Sequence, residues 1–301
     1  MVYYIGHFNI EDLIYPHYTK LGTAGGACLY AAMGGWLWNR EASVISRIGG
    51  EYPQDYLDIL DSLGIRRYLT VIPGETMASV TEYASGHDRC FRMKNRPEKL
   101  FELTPTAEDV ERAQVEEGSF AHIGPLNLGL LEDMVELLRA KNCTVSVDTC
   151  DSFVREDPQR LISILRKTEL FLPSRSELMS FDSGGRTLLE QADWLSDATG
   201  HSVIVKDSTN GSYVPQGGGY VRVPVYEGAK SVDLTGAGDS YCGALMAQYS
   251  RGYTLRDCAI CASVSASLAI EGCGALHYHG VSDGEREKRY AYIINKMEDR
   301  N

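Results

Sequence analysis

Gly236, Ala237, Gly238 and Asp239 are the four consecutive residues best suited to chemistry in this sequence. Residues this small let the backbone turn tightly just before a helix-compatible run, so N–H groups at the helix start can face an anion. A carboxylate on the first turn, Asp239, then stands beside any phosphate held there and within reach of a hydroxyl proton. Composition leaves a plainer reading open, a Gly-rich turn in which Asp239 caps the helix. A second carboxylate, Glu177, follows a short apolar strand at Leu170 to Leu172, and ligands of open α/β sheets collect beyond such strand ends. There it can orient hydrated Mg2+ or simply favour a helix start. Asn9, Glu11 and Asp12 come just after the first strand, so at least one of them should face a substrate.

The elements that must position these residues begin with a buried strand, Val2 to Ile5, ended by Gly6. His7 to Thr23 reads as extended or looped. Gly25-Gly26 opens a helix over Ala27 to Trp38, and Ala42 to Ile48 is the next strand. Tyr68 to Ile72, Met77 to Ala84 and Cys90 to Met93 read as short strands punctuated by Pro73-Gly74 and Ser85-Gly86, a small β appendage. Its basic run, Arg89, Arg92, Lys94 and Arg96, reads as a solvated face or as a contact for a substrate phosphate. From Ala107 helices and strands alternate through Ser202 to Lys206, the pattern of a mainly parallel sheet covered on both faces. A hairpin turning near Gln216 to Gly219 follows, and the chain finishes in helices, one of them started by Thr254 and Asp257.

The 301 residues suit one large α/β domain with a small appendage. Lys and Arg total 29 against 41 Asp and Glu, a formal charge of -12 that repels nucleic acid and anionic membrane. No apolar run is long enough to span a bilayer and the amino terminus lacks a signal-peptide pattern, so a cytoplasmic location is expected. The 8 cysteines, Cys258 and Cys261 included, read as reduced core residues.

The run Asp233-Leu234-Thr235-Gly236-Ala237-Gly238-Asp239-Ser240-Tyr241-Cys242-Gly243-Ala244 resembles the D-T-x-G-A-G-D-x-F-x-x-G signature of the PfkB, or ribokinase, family of carbohydrate kinases. Leu234 and Tyr241 replace the usual Thr and Phe. Gly25-Gly26, Leu63-Gly64-Ile65, Asp148 and Pro173-Ser174-Arg175-Ser176-Glu177 are similar to further motifs of that family, so the resemblance spans most of the chain. It implies a three-layer ribokinase-like α/β fold over residues 1–301 with a mainly parallel central sheet. The small β lid would come from approximately 7–23 and 68–100. It implies an ATP-dependent phosphotransferase acting on a hydroxyl of a small carbohydrate, with Asp239 as general base and Gly236, Ala237 and Gly238 as the anion hole. A nucleoside kinase of the same family and a non-catalytic nucleotide or sugar sensor are the alternatives.

Residue by residue, the resemblance places Asn9, Glu11, Asp12, Gly25, Gly26, Tyr30 and Asp239 at the acceptor substrate. Lys206, Ser208, Gly211, Thr235, Gly236, Gly238 and Gly274 fall at ATP, Glu177 at Mg2+ through water, and Asp233 at a monovalent cation such as K+. A homodimer through the lid is a further implication. Four positions depart from the pattern: Tyr30 for a sugar-binding Asn, Glu11 for an Asp, Ser174 for Asn, and Ser208 for Gly. Tyr30, one or two turns into its helix, is expected to reach the ligand; packing into the core is its alternative.

Overall fold

Every residue of the strand Val2–Ile5 is buried, Val2 and Tyr4 facing one apolar layer and Tyr3 and Ile5 the other. A strand apolar on both faces belongs in the middle of a sheet with helices on either side. A computed structural model, which describes residues 1–85 and 88–298, has this arrangement. Its strands in chain order are β1 (Val2–Ile5), β2 (Asn9–Ile14), β3 (Thr19–Gly25), β4 (Ala42–Gly49), β5 (Arg66–Ile72), β6 (Ala78–Ser85), β7 (Asp88–Met93), β8 (Phe120–Ile123), β9 (Thr144–Val147), β10 (Leu170–Phe171), β11 (Ser202–Val203), β12 (Val205–Lys206), β13 (Ser212–Gln216) and β14 (Gly219–Val223).

The central sheet has seven strands, ordered β11-β10-β9-β8-β1-β4-β5, and every pairing in it is parallel. The helices Ala27–Trp36, Ala237–Tyr249, Leu255–Ala269 and Asp283–Glu298 cover one face. Ala107–Arg112, Leu128–Ala140, Pro158–Leu165 and Leu188–Thr199 cover the other. Strand order reverses at β1 and β8, and the crevice past the carboxyl ends at such a reversal is where open α/β sheets take ligands. Among the described residues no helix is long and apolar enough to cross a membrane. The eight cysteines are free, with Cys258 and Cys261 in the core.

The lid is a four-stranded sheet, β3-β2-β6-β7, antiparallel except for the parallel β2–β6 pair. Three expectations change. Tyr68 to Ile72 belongs to the central sheet, because β5 pairs in parallel with Ser43–Gly49; Pro73-Gly74 turns a corner there, not a hairpin. The lid segment expected over 68–100 therefore contributes only β6 and β7, and a helix, Pro97–Leu103, begins within its end. Ser202 to Lys206 is two strands: β11 ends at Val203, and β12 joins β13 and β14 in a three-stranded antiparallel sheet. Lys206 keeps the parallel register against Ser174, just past the end of β10, which places it at the carboxyl edge where the cavity lies. The turn at Gly86 and the side chain of Arg89 lie outside the described residues.

Candidate active site

The helix Ala237–Tyr249 is packed between Ala27–Trp36 and Leu255–Ala269, which fixes its amino-terminal turn in the crevice. Gly236 caps it with φ 75°, and a Cβ there would lie 2.1 Å from the Tyr30 ring. Only glycine satisfies both the left-handed backbone and that contact. Tyr30 is correspondingly 1% exposed, its ring beneath Gly236 and its hydroxyl donating to Glu11 Oε2 at 3.3 Å. The ring does not line the cavity, so Tyr30 takes the core alternative. Helical facing turns it towards the neighbouring helix, not the ligand.

The cavity at the sheet's carboxyl ends has a volume of about 2150 Å³. Gly236, Ala237, Gly238 and Asp239 line its middle. A Cβ added at Gly238 would meet no protein atom nearer than Lys206 Nζ at 3.6 Å, so packing does not require glycine at that position. What the missing side chain leaves clear is the approach to the helix start.

At the lid end, β2 alternates. Asn9 and Glu11 turn inward and are buried, while Asp12 turns outward to pair with Lys94 and accept from Gly22 N–H. Of the two adjacent carboxylates, Glu11 alone reaches the cavity. Its Oε1 accepts from Gly26 N–H at 3.1 Å and from Asn9 Nδ2 at 3.4 Å. Gly25 does not itself line the cavity; a Cβ on it would sit 2.2 Å from the Glu11 carboxyl carbon, whereas Gly26 has φ 94° and a Cβ there would meet the His7 carbonyl at 2.3 Å. Burial pushes the Glu11 carboxyl up to about 7. Asn9 also donates to Ser79 Oγ at 2.6 Å, and its Oδ1 is buried without a partner among the described residues. The next positions on the same lid face are apolar: the register sets Met93 beside Ser79 and Phe91 beside Thr81, with Met77 at the β6 start.

On the opposite side of Gly238, Lys206 Nζ donates to Asp148 Oδ2 at 2.7 Å. Burial disfavours the ammonium charge, yet Asp148, Cys242 and Glu177 hold its proton affinity well above the ordinary value. Glu177 shares a capping box with Ser174, its Oε2 accepting from Ser174 N–H at 2.5 Å. Burial, with the Asp148 carboxylate nearby, raises the Glu177 carboxyl to about 7. Among the described residues no cluster could cage a metal ion by itself. Two cavity-facing carboxylates beside a lysine instead suit hydrated Mg2+ arriving on a polyphosphate, since Mg2+ keeps most of its waters and takes oxygen ligands.

Ser208, in the place of an expected glycine, has φ 49°, a conformation side chains rarely adopt. It lines the cavity with Gly211 and Thr235. Gly274 does not: it packs on β3, where a Cβ would meet Thr23 at 2.9 Å.

Asp233 lies just behind the wall. Its Oδ1 accepts from Tyr15 at 2.7 Å, Tyr83 at 3.1 Å and Thr235 N–H at 3.0 Å, and its Oδ2 is buried with no partner among the described residues. That orphaned oxygen fits a monovalent cation. Tyr15 and Tyr83 both come from the lid and stack at 4.2 Å. Sequence reading missed them, and no local signal marks them, since they lie 218 and 150 residues from their partner.

The pfkB family of carbohydrate kinases matches residues 4–277. A cytidine kinase of Thermococcus kodakarensis is 26% identical over 261 residues, 84% of this chain and 90% of that protein. Among solved structures, a candidate ribokinase II from Escherichia coli, determined with ATP and Mg2+, superposes with a TM-score of 0.79 at 20% identity, covering 97% of this chain and 99% of that one. A Burkholderia thailandensis nucleoside kinase in complex with inosine gives 0.78 at 16% identity over 98% of both chains.

Proposed function

The chain belongs to the pfkB family of carbohydrate kinases, and on that premise we propose that it transfers the γ-phosphoryl group of ATP to a hydroxyl of a ribonucleoside. The observation that carries the choice of acceptor is the two-sided lid face. Asn9 and Glu11 offer hydrogen bonds suited to ribose hydroxyls, and Met77, Phe91 and Met93 beside them offer apolar surface suited to a base. A free sugar, expected from the family resemblance, would leave that strip uncovered. The cytidine kinase relative, matched over 84% of this chain, supports the same reading.

In the proposed reaction the acceptor hydroxyl lies against Asp239, which takes its proton as the oxygen attacks the γ-phosphorus. The O–P bond forms, the bond to the β-phosphate oxygen breaks, and ADP leaves. N–H groups of the first turn after Gly236 and the Lys206 ammonium face the charge that develops on the transferred group. Glu177 and Asp148 would hold the waters of a magnesium ion, whose charge offsets that of the phosphates. Asn9 and Glu11 orient the sugar, and Ser208, Gly211 and Thr235 border the nucleotide.

The test is ADP release with ATP and a panel of ribonucleosides, deoxyribonucleosides, pentoses and hexoses. Turnover with one or more ribonucleosides, at least about tenfold better in kcat/KM than with any free sugar, is the expected result. Turnover confined to free sugars would overturn the acceptor assignment, and no turnover with any acceptor would overturn the transfer itself.

A further inference from the structure

Beyond Ser208, the far end of the cavity is a slot with two walls. One is the segment containing Val225, Tyr226 and Ser231; the other is the face of Leu255–Ala269 and its exit that carries Ala266, Ser267 and Ile270. No described residue of the helix Asp283–Glu298 lines the cavity, yet its Arg289 reaches both walls from behind. Arg289 is 4% exposed. Its Nη1 donates to Ser267 Oγ at 3.0 Å and its Nη2 to Glu271 Oε2 at 2.7 Å. Its guanidinium carbon stands 4.7 Å from the centre of the Tyr226 ring, and Nε donates to Glu285 at 2.9 Å. Glu271 completes the link to the first wall, because its Oε1 accepts from Lys230 N–H at 3.0 Å.

A buried ion pair is weak evidence for stability, since replacing the arginine together with its partners by apolar side chains is often neutral. What only arginine provides is a planar fork that grips Ser267 and Glu271 while offering a flat face to an aromatic ring. We propose that Arg289 is a positioning residue for the nucleotide: it sets the spacing of the slot walls that hold the base of ATP, without touching the base. This rests on the assignment of that end of the cavity to ATP.

The test compares Arg289→Met and Arg289→Lys with Ile293→Ala, a core substitution on the same helix. Binding of a non-hydrolysable ATP analogue is measured by calorimetry, alongside KM for each substrate and Tm. Arg289→Met should weaken analogue binding about tenfold with the acceptor KM unchanged, because walls no longer tied together hold the base less well. Arg289→Lys should fall between wild type and Arg289→Met, and it supplies the measurement should Arg289→Met fail to fold. Ile293→Ala should lower Tm and leave analogue binding within about twofold of wild type. Unchanged binding in the folded Arg289 variants, or equal weakening by Ile293→Ala, would overturn the proposal. Wild-type protein that binds no analogue would overturn the ATP assignment and the proposal with it.

Discussion

The two ends of the cavity are built differently. The lid end is roofed by a separate sheet that is tied to the loop before the helix Ala237–Tyr249 by tyrosine hydroxyls: Tyr15 and Tyr83 on Asp233, and Tyr18 on the Val232 carbonyl. The slot end is walled by elements that continue into the main apolar core and is braced from behind by a buried arginine. Although Ala24 at the end of β3 is fixed in the core, the part of the roof held to that loop by hydrogen bonds can open and reclose over a substrate, whereas walls set in a core keep their spacing. Acceptor recognition should therefore depend on closure, and nucleotide binding on a preformed shape.

The largest effect is expected where the ends meet. Asp239→Asn should lower kcat by roughly 10²–10⁴ while leaving analogue affinity nearly unchanged, because the amide keeps the shape and removes the proton acceptor. Normal turnover in that variant would exclude Asp239 as the base.

The roof itself comes next. Replacing both Tyr15 and Tyr83 by Phe keeps their stacked rings and removes the hydroxyls that bond Asp233. The acceptor KM should rise about tenfold, the cost of hydrogen bonds to a charged group, with ATP-analogue affinity unaffected. An equal loss of analogue affinity would show that the two ends are not separable.

A smaller, pH-dependent difference is expected at Glu11. Its carboxyl stands at about 7 in the folded protein, above the ordinary 4.5, so the native state holds this proton more tightly than the unfolded chain does. Stability from this group is therefore full below the ordinary value and falls as pH rises towards 7. Glu11→Gln should be more stable than wild type at pH 8, with the difference shrinking towards pH 5, as thermal unfolding across that range would record. If the ionised form is the one that accepts the substrate hydroxyls, the wild-type acceptor kcat/KM rises through pH 7 and the variant loses that rise. A variant with the wild-type pH profile would place the titration elsewhere.

The smallest effect is assigned to the slot. Ser208→Gly relieves a left-handed serine and adds chain entropy in the unfolded state, two terms of about 1 kcal/mol and opposite sign. Tm should change by no more than about 2 °C, upward, with analogue affinity within about threefold of wild type. A loss of affinity of tenfold or more would show that the Ser208 hydroxyl binds the nucleotide.

Much of this architecture is written locally. The helix start at Gly236 to Asp239, the capping residue Thr254, the inward and outward alternation of β2 and the alternation of helix and strand after Ala107 each depend on neighbours within a few residues. Such features can be read from spacing and residue type, whereas the family came from the resemblance of the twelve-residue run around Asp239 to a known signature. β5 was misplaced because a short β-branched run ending at Pro73 looks alike on a lid and on a parallel sheet's edge. Tyr30 was misplaced because a helix start fixes distance along the chain but not which neighbour a ring meets.

The partners of the site residues belong to the tertiary structure. Glu11 needs Gly25 and Gly26, 14 and 15 positions away in chain number, to be brought opposite it by the β2–β3 pairing. Lys206 meets Asp148 only because the ends of β9 and β12 are brought to the same carboxyl edge, and Asp233 meets Tyr15 and Tyr83 only because the lid folds over the loop that carries it. The sequence by itself determined the chemistry available, a carboxylate on the first turn of a helix that starts in a glycine-rich turn. Packing decided which carboxylates are buried, which are paired and which face the substrate, because burial and charge pairing are set by whatever distant elements the fold brings within a few ångströms.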